Sequence, residues 1–419
     1  MSPVRLRIHH GAEEIGGNCI ELEHAGKTLL LDLGLPLEQG AKISLPDIPG
    51  LCGGDNPDLL GVVLSHPHID HYGLLTLAHP TVPVWLGEGA KRLLSAAAPF
   101  LPNGELPQPI TTYQANEPFD IGPFRITPYL MDHSAYDAHG LLIQAGGKHL
   151  FYTGDFRGHG RKAATFERFL ANPPTAVDAL IMEGTTLGRN EAFPTEAELE
   201  GQIEQVIAAT PGLVLTCFSA QNVDRFVTFF KAALRSGRTF VVDAYAANMI
   251  DALGLVSLPA MTMHKSVRVF LPSSQKRMIL RGERFDLIDR YRTNRIFADA
   301  IAATPEKFVM MFRTSMCRDL DGMDFGGGRI VYSLWSGYLD RDRIDLRDWA
   351  RERQMDFDII HTSGHAHRGD LSRMVESLAP RQLIPIHTNN PSEYDVFGAP
   401  VTAVPVRRQH QWHRFEVVN

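Results

Sequence analysis

The stretch Leu64-Ser-His-Pro-His-Ile-Asp-His-Tyr-Gly73 carries four candidate metal ligands within six residues, spaced as His66-x-His68-x-Asp70-His71. It follows the apolar run 59–64 directly, which fits a buried strand with a polar loop at its carboxyl end. Imidazole and carboxylate groups at this density favour Zn²⁺ or a similar divalent ion. One compact loop can hardly wrap four ligands around a single centre, so we predict two neighbouring metals that share it.

The alternative to metal binding is that these residues are ordinary surface or core side chains. That interpretation suits any one histidine of the sequence. It does not suit the whole loop, because four such groups packed together without a cation would repel one another and leave buried polar atoms without partners.

Further polar residues stand at or just beyond the ends of other predicted strands. Strand 124–130 leads to His133, strand 149–152 to Asp155, strand 179–182 to Glu183 and strand 382–386 to His387. Asp32 likewise follows the apolar strand 27–31. A turn residue is the alternative for each of them alone. Convergence of polar groups at one edge of a sheet is what an active site in such an architecture requires.

The pattern changes near residue 189, where single apolar strands begin to alternate with helices. The first helix opens with the capping box Thr195-x-x-Glu198. This alternation predicts a parallel α/β sheet in a separate inserted domain. We therefore predict a first domain in two parts, 1–187 and 357–419, around an insertion at 188–356.

The composition is that of an ordinary globular protein, with 44% apolar and 21% charged residues among 419. No run of about 18 apolar residues occurs, and the N-terminus lacks the apolar core of a signal peptide, so we expect no membrane association. The cysteines are scattered and form no Cys-x-x-Cys pair, which favours a reducing cytoplasm.

The formal net charge of −7 argues weakly against a protein that coats nucleic acid. A local basic groove would still be able to hold a phosphate backbone. Segment 276–295 is one candidate, with seven Lys or Arg against three acidic residues. A solvated helix face explains this segment equally well.

The histidine loop resembles the signature of the metallo-β-lactamase superfamily, whose fold is a four-layered αββα sandwich. A domain inserted before the last strands resembles the β-CASP group of nucleic-acid hydrolases within it. Three further motifs of that group match Glu183, the element His361-Thr-Ser-Gly-His365-Ala, and His387. A histidine at the last position is typical of RNA-processing members such as ribonuclease J and the cleavage-and-polyadenylation endonuclease. DNA-repair members usually carry an apolar residue there.

The resemblance implies a dinuclear zinc site, although Mn²⁺ would also fit a site that contains carboxylates. The ligands it implies are His66, His68 and His133 for one ion, Asp70, His71 and His387 for the other, and Asp155 between the two. Two ions about 3.5–4 Å apart can activate water and clamp a phosphate oxygen.

Phosphodiester hydrolysis also needs a proton for the leaving oxygen, which a histidine paired with a carboxylate can supply. We assign His365 as general acid and Glu183 as the carboxylate that orients it. Ser363 and Gly364 are candidate phosphate contacts, because a turn of free N–H groups binds anions. A tight turn without any binding role explains this pair as well.

Two residues of the inserted domain are further candidate substrate contacts. Ser219 precedes the predicted helix 222–235 and Asn222 begins it, and helix N-termini bind phosphates well. An ordinary helix N-cap is the equal alternative for Asn222.

These observations together favour hydrolysis of single-stranded RNA. A DNA nuclease of the same fold is the first alternative. A small-ester or lactam hydrolase is the second, although the large insertion has no use there. A non-enzymatic RNA-binding module would be expected to lose metal ligands, and none of the seven is missing. Internal cleavage versus 5′→3′ digestion stays open. Whether this protein forms a homodimer also stays open. Ribonuclease J dimerises with the help of a further C-terminal domain, which lies beyond the position of the strand predicted here at 412–418.

Overall fold

The computed structural model of this protein describes residues 2–38, 43–101, 104–106, 108–189, 193–341, 343–402 and 413–414. The chain divides into two compact units. The first unit comprises residues 1–91, 105–192 and 364–419, and the second comprises 92–104 and 193–363. Within the described ranges, no helix combines the length and apolar character needed to cross a membrane.

The chain up to residue 189 is mostly β-structure. Its strands are β1 (Arg5–His10), β2 (Cys19–His24), β3 (Lys27–Leu31), β4 (Leu59–Val63), β5 (Val84–Gly87), β6 (Ile110–Tyr113), β7 (Phe119–Ile121), β8 (Phe124–Leu130), β9 (His139–Ala145), β10 (Lys148–Tyr152) and β11 (Ala179–Glu183). Its α-helices are α1 (Ile69–Tyr72), α2 (Glu88–Ala97) and α3 (Ala163–Ala171).

From residue 193 onward, helices and strands alternate. The elements are α4 (Glu196–Ala209), β12 (Val214–Cys217), α5 (Val223–Arg235), β13 (Thr239–Asp243), α6 (Ala244–Leu253), β14 (Val267–Phe270), α7 (Ser273–Arg281), α8 (Asp286–Arg290), β15 (Arg295–Ile296), α9 (Ala298–Ala303), β16 (Phe308–Met311), β17 (Arg329–Tyr332), α10 (Leu346–Glu352) and β18 (Asp356–Ile359). The chain then forms α11 (Arg368–Leu378), β19 (Gln382–Ile386) and β20 (His413–Arg414).

The first unit is a layered sandwich. Its two sheets have the strand orders β20-β1-β2-β3-β4-β5-β6 and β19-β11-β10-β9-β8-β7. Side chains from both sheets, such as Leu22 and Ile143, share one buried core. Helices α3 and α11 cover the other face of the second sheet through residues such as Phe166 and Met374. This packing agrees with the predicted α/β fold class.

Parallel strands bring the polar residues of the first unit to one edge of each sheet. In the second sheet, β11 runs parallel to both β10 and β19, with Ile181 opposite Tyr152 and Ile384. In the first sheet, β3 and β4 are parallel, with Leu31 opposite Val63. Residues that follow the carboxyl ends of these strands therefore lie near one another.

The second unit contains the predicted parallel sheet. Its order is β15-β14-β13-β16-β12-β17-β18, and every neighbouring pair is parallel. Helix α4 begins with the predicted capping box, in which Thr195 Oγ1 accepts from Glu198 N–H and Glu198 Oε2 accepts from Thr195 N–H.

Two sequence expectations near the chain's return to the first unit have different outcomes. We expected residues 357–361 to rejoin the first domain, whereas β18 pairs with β17, with Ile359 opposite Tyr332. The apolar composition of residues 357–361 resembles that of the earlier strands, but the backbone hydrogen bonds of β18 place it in the sheet of the second unit. The domain boundaries themselves stay predictions. Of the predicted strand 412–418, only residues 413–414 are described, as β20 beside β1, and the remainder lies outside the described residues.

Candidate metal centre

The loop after β4 holds four of the predicted ligands close to the backbone of a neighbouring turn. His68 precedes α1 without making a capping hydrogen bond, and Asp70 lies inside that helix. Gly34 packs against this helix so closely that a Cβ there would lie 1.7 Å from the Asp70 carbonyl oxygen. Only glycine permits this approach, which anchors the ligand loop against the end of β3.

Three histidines form the first ligand cluster. One ring nitrogen from each of His66, His68 and His133 lies within 4.8 Å of the others. Burial lowers the pKa of His66 and His133 well below the usual range and lowers the pKa of His68 to about 4. The three rings are therefore neutral at pH 7, and each has a lone pair that a cation can use.

Two carboxylates and two histidines form the second cluster, namely Asp70, His71, Asp155 and His387, all buried and all within the same 4.8 Å limit. Burial would raise the pKa of both carboxyl groups, but the neighbouring His71 and His387 outweigh it and lower both. The pKa of His71 is raised, because the surrounding carboxylates outweigh its burial. The carboxyl groups of Asp70 and Asp155 are therefore ionised at neutral pH.

Asp155 lies between the two clusters. Its Oδ2 atom is 3.2 Å from His71 Nε2 and 3.7 Å from Nε2 of both His66 and His387. In the described part of the chain, the buried atoms Asp155 Oδ1 and His66 Nε2 have no hydrogen-bonding partner. Such orphaned atoms are costly unless something binds them. A divalent cation would satisfy both, so the residues present fit a metal.

Hydrogen bonds on the outer edges of the rings fix which nitrogen faces the centre. His71 Nδ1 donates to Asp32 Oδ2 at 2.7 Å, and His133 Nδ1 donates to the Gly364 carbonyl at 2.5 Å. Ser65 Oγ donates to Asp32 at 2.8 Å and so accepts from His66 Nδ1 at 3.0 Å. These three rings therefore direct Nε2 inward, and Nε2 is the nitrogen that a metal-binding histidine held in this way uses for coordination.

Asp32 accepts, through its carboxylate, several of the hydrogen bonds that orient these rings. Its carboxylate is fully buried and also accepts from Ser65 N–H at 2.7 Å and from the Tyr152 hydroxyl at 2.6 Å. Its backbone is in the left-handed region, with φ of 58°, a strained conformation for a residue other than glycine. Asp32, one of the polar residues noted at the predicted strand ends, therefore contacts His71 directly.

Glu183 and His365 form a pair beside the second cluster. Glu183 is fully buried, and its carboxylate accepts from the backbone N–H groups of Phe156, Thr185 and Ala366. His365 Nδ1 lies 3.4 Å from Glu183 Oε2 and 3.6 Å from Asp155 Oδ2. Burial acts to lower the pKa of His365, but these carboxylates outweigh it and raise the pKa to about 9.

Two family models match this chain. Residues 30–221 match the β-lactamase superfamily domain, and residues 352–392 match the Zn-dependent metallo-hydrolase RNA specificity domain. The chain contains a metallo-β-lactamase domain. The protein is accordingly a metal-dependent hydrolase, and the predicted resemblance to the β-CASP group is confirmed by the two matches together with relatives named ribonuclease J.

Curated relatives of this chain are named ribonuclease J. That of Mycobacterium tuberculosis is 23% identical, and the match covers 92% of this chain and 68% of the relative. That of Sinorhizobium meliloti is also 23% identical, with 86% and 63% covered. This chain thus spans about two thirds of their length. A crystal structure of a protein of unknown function from Enterococcus faecalis V583 has a TM-score of 0.77 at 19% identity, covers 99% of this chain and 100% of its own, and shares the fold.

The four candidate substrate contacts have different hydrogen-bonding roles within the protein. The Gly364 carbonyl accepts from His133, so this residue supports the first cluster directly. In the second unit, Asn222 Oδ1 accepts from Arg225 N–H at 2.9 Å and caps α5. Ser219 Oγ accepts from Gln221 N–H at 3.3 Å. Ser363 precedes Gly364 and is half-buried. Substrate roles for all four stay predictions.

Sequence reasoning missed three residues of the centre, Ser65, Tyr152 and Thr185. Ser65 was detectable in principle, because it adjoins the histidine motif. Tyr152 contacts Asp32 across 120 positions of chain, and no local pattern signals such a contact. Thr185 lies two residues after Glu183 in an unremarkable Gly-Thr-Thr turn, yet its hydroxyl contacts two histidines.

Proposed function

We propose that this chain is a ribonuclease that hydrolyses phosphodiester bonds of single-stranded RNA at a dinuclear metal site. The observation that carries the proposal is the pair of adjacent ligand clusters with Asp155 between them and His365 against the same carboxylate. A centre of this kind supplies both a strong electrostatic clamp and a nearby proton donor, which phosphodiester hydrolysis requires.

The proposed ligands follow the two clusters. His66, His68 and His133 would hold one ion, Asp70, His71 and His387 would hold the second, and Asp155 lies beside both sets of ligands. Nitrogen ligands in this number favour Zn²⁺, and Mn²⁺ would fit the carboxylate-containing cluster. Bound ions of this class lower the pKa of water and neutralise charge on a phosphate.

His365 is the proposed proton donor to the leaving oxygen. Its Nδ1 edge faces Glu183 and Asp155, so the proton it delivers is carried on Nε2. Glu183 is held by three backbone N–H groups and cannot swing toward the substrate. It therefore acts by fixing the orientation of the His365 ring.

An RNA substrate is supported by the RNA specificity domain match at 352–392, which includes both His365 and His387. The curated relatives named ribonuclease J point the same way. A DNA nuclease of the same fold is the second candidate, because the metal chemistry would serve either polymer. A cytoplasmic location fits this proposal, since RNA is abundant there.

The test uses metal-loaded protein and one oligonucleotide sequence, 5′-labelled, prepared as single-stranded RNA and as single-stranded DNA. Asp70→Asn protein and chelator-stripped protein serve as blanks. We expect cleavage of RNA that both blanks abolish, and the product ladder distinguishes internal cuts from end-directed digestion. Equal cleavage of DNA would replace the ribonuclease assignment with a general nuclease. No cleavage of either polymer would refute it.

The general-acid assignment has its own measurement. His365→Ala should lower the single-turnover rate by about 10²–10⁴-fold while the metal content of the protein stays that of the wild type. His367→Ala is the matched control, since this histidine caps α11 through Asp370 N–H and belongs to neither cluster. Full activity in His365→Ala would exclude the proton-donor role.

A further inference from the structure

The Thr185 hydroxyl lies between two histidine rings of the centre. Its Oγ1 atom is 2.8 Å from His387 Nδ1, 3.1 Å from His365 Nδ1 and 3.3 Å from the His387 carbonyl oxygen. The two rings are nearly parallel, with centroids 5.3 Å apart and an interplanar angle of 27°. One small side chain thus touches a member of the second ligand cluster and the partner of Glu183 at once.

Hydrogen counting assigns the direction of these bonds. His387 Nε2 lies 3.2 Å from Asp70 Oδ2, inside the second cluster, so its lone pair is the one available to a cation. A neutral imidazole then carries its only hydrogen on Nδ1, which donates to Thr185 Oγ1. His365 carries hydrogen on both ring nitrogens when it is ready to deliver a proton, so its Nδ1–H also donates to Thr185 Oγ1, and the hydroxyl hydrogen is directed at the His387 carbonyl.

Because the backbone at His387 is fixed, the hydrogen bond between His387 Nδ1 and Thr185 Oγ1 determines the orientation of the His387 ring. His387 has φ of 52°, in the left-handed region, and its N–H donates to the Gly11 carbonyl. The main chain is therefore fixed in a strained conformation, and rotation of the side chain is the freedom that remains. The hydrogen bond from His387 Nδ1 to Thr185 restricts this rotation. The bond to Asp32 restricts the His71 ring in the same way, and the bond to the Gly364 carbonyl restricts the His133 ring.

We propose that Thr185 is a positioning residue that locks the His387 ring toward the metal and the His365 ring toward the substrate through one shared hydroxyl. This inference rests on the proposed function for the role of His365, whereas its effect on metal binding does not depend on the substrate. The Thr185 N–H donates to Glu183 Oε2, so the same residue also ties the turn to the orienting carboxylate.

Thr185→Val removes the hydroxyl while keeping the shape, and Thr185→Ser restores it. Thr76→Val is the matched control, because Thr76 is also half-buried and its hydroxyl donates to the Gly73 carbonyl. Apo protein is titrated with Zn²⁺ in competition with a chromophoric chelator. We expect about 10-fold weaker binding at one site in Thr185→Val, with wild-type values for Thr185→Ser and Thr76→Val.

The second readout is turnover of single-stranded RNA at saturating Zn²⁺. Thr185→Val should lower kcat while leaving KM close to the wild-type value, and Thr185→Ser should recover most of kcat. Wild-type zinc affinity in Thr185→Val, or no recovery in Thr185→Ser, would overturn the proposal. If wild-type protein cleaved no RNA, the proposed function would fall, whereas the zinc titration would still decide whether Thr185 positions His387.

Discussion

Asp155 and Asp243 are both fully buried carboxylates at the carboxyl end of a parallel strand, one in each unit, yet their surroundings differ. Asp243 accepts from Arg313 Nε and from Ala246 N–H, each at 2.6 Å, and caps α6. Asp155 faces several imidazole rings, and its Oδ1 has no partner among the residues that the structure describes.

The difference between Asp243 and Asp155 distinguishes a buried carboxylate that stabilises the fold from one that is available to a ligand. A carboxylate matched by a guanidinium and an N–H group is complete within the protein, and it contributes to folding. A carboxylate that faces several imidazole rings and has one oxygen without a partner costs stability unless a cation binds. Position at a strand end is therefore insufficient to identify a site, and unsatisfied polar atoms are the more informative signal.

Asp155→Asn gives the largest expected effect. Losing the charge between the clusters should weaken Zn²⁺ binding by at least about 100-fold, beyond the range typical of an outer-edge partner, and should abolish hydrolysis. Unfolding followed with and without Zn²⁺ checks this, because a ligand raises stability by mass action. The wild type should gain stability on loading, and Asp155→Asn should gain almost none. An undiminished gain would place the metal elsewhere.

Asp243→Asn should give the converse result. The asparagine can still cap α6, but it loses the charged bond to Arg313, at a cost of about 2 kcal/mol in the free energy of unfolding. Urea denaturation should show this loss equally in apo and zinc-loaded protein, with zinc affinity unchanged. Asp289→Asn is the control, since its pair with Arg292 is exposed and is expected to contribute less than about 0.5 kcal/mol. A loss of zinc affinity in Asp243→Asn would break the comparison.

The same contrast explains how far sequence reasoning reached. The β9–β10 hairpin was predictable, because Gly146 and Gly147 join its two strands. These glycines adopt the positive φ values of 55° and 76° that a tight turn needs. The ligand loop was predictable because its spacing is local. By contrast, the positions of Asp155 and His387 at strand ends indicated only that polar groups converge, and the resemblance to the superfamily led us to expect both as metal ligands.

What sequence reasoning could not supply are contacts between side chains that are distant in the chain. Thr185 and His387 are 202 positions apart, and Asp32 and Tyr152 are 120 apart. These contacts depend on the register of parallel strands, which no short motif encodes. The placement of β18 beside β17 was missed for the same reason, since its composition suits either sheet.

The smallest expected effect concerns the basic segment of the second unit. On α7, Lys276, Arg277 and Arg281 are exposed, and none of them forms an ion pair with any residue in the described part of the chain. Arg277 and Arg281 are four positions apart, a like-charge spacing that destabilises a helix. Leu280, on the same helix, is 46% exposed, and Phe285 beyond it is 51% exposed. Free cations beside exposed apolar groups suit single-stranded RNA, which offers phosphates and stacking faces.

Replacing these three cations with serine should weaken RNA binding and reduce the slope of log affinity against log salt by about 2, at roughly 0.7 per phosphate contact in single strands. Fluorescence anisotropy in an Asp70→Asn background avoids cleavage during the measurement. The matched control replaces three arginines that are paired with acidic residues, Arg292, Arg347 and Arg351. We expect a smaller change in slope there, because part of each charge is already neutralised. Equal slopes in the two triple variants would mean that α7 is a solvated face and that the second unit binds RNA by other residues.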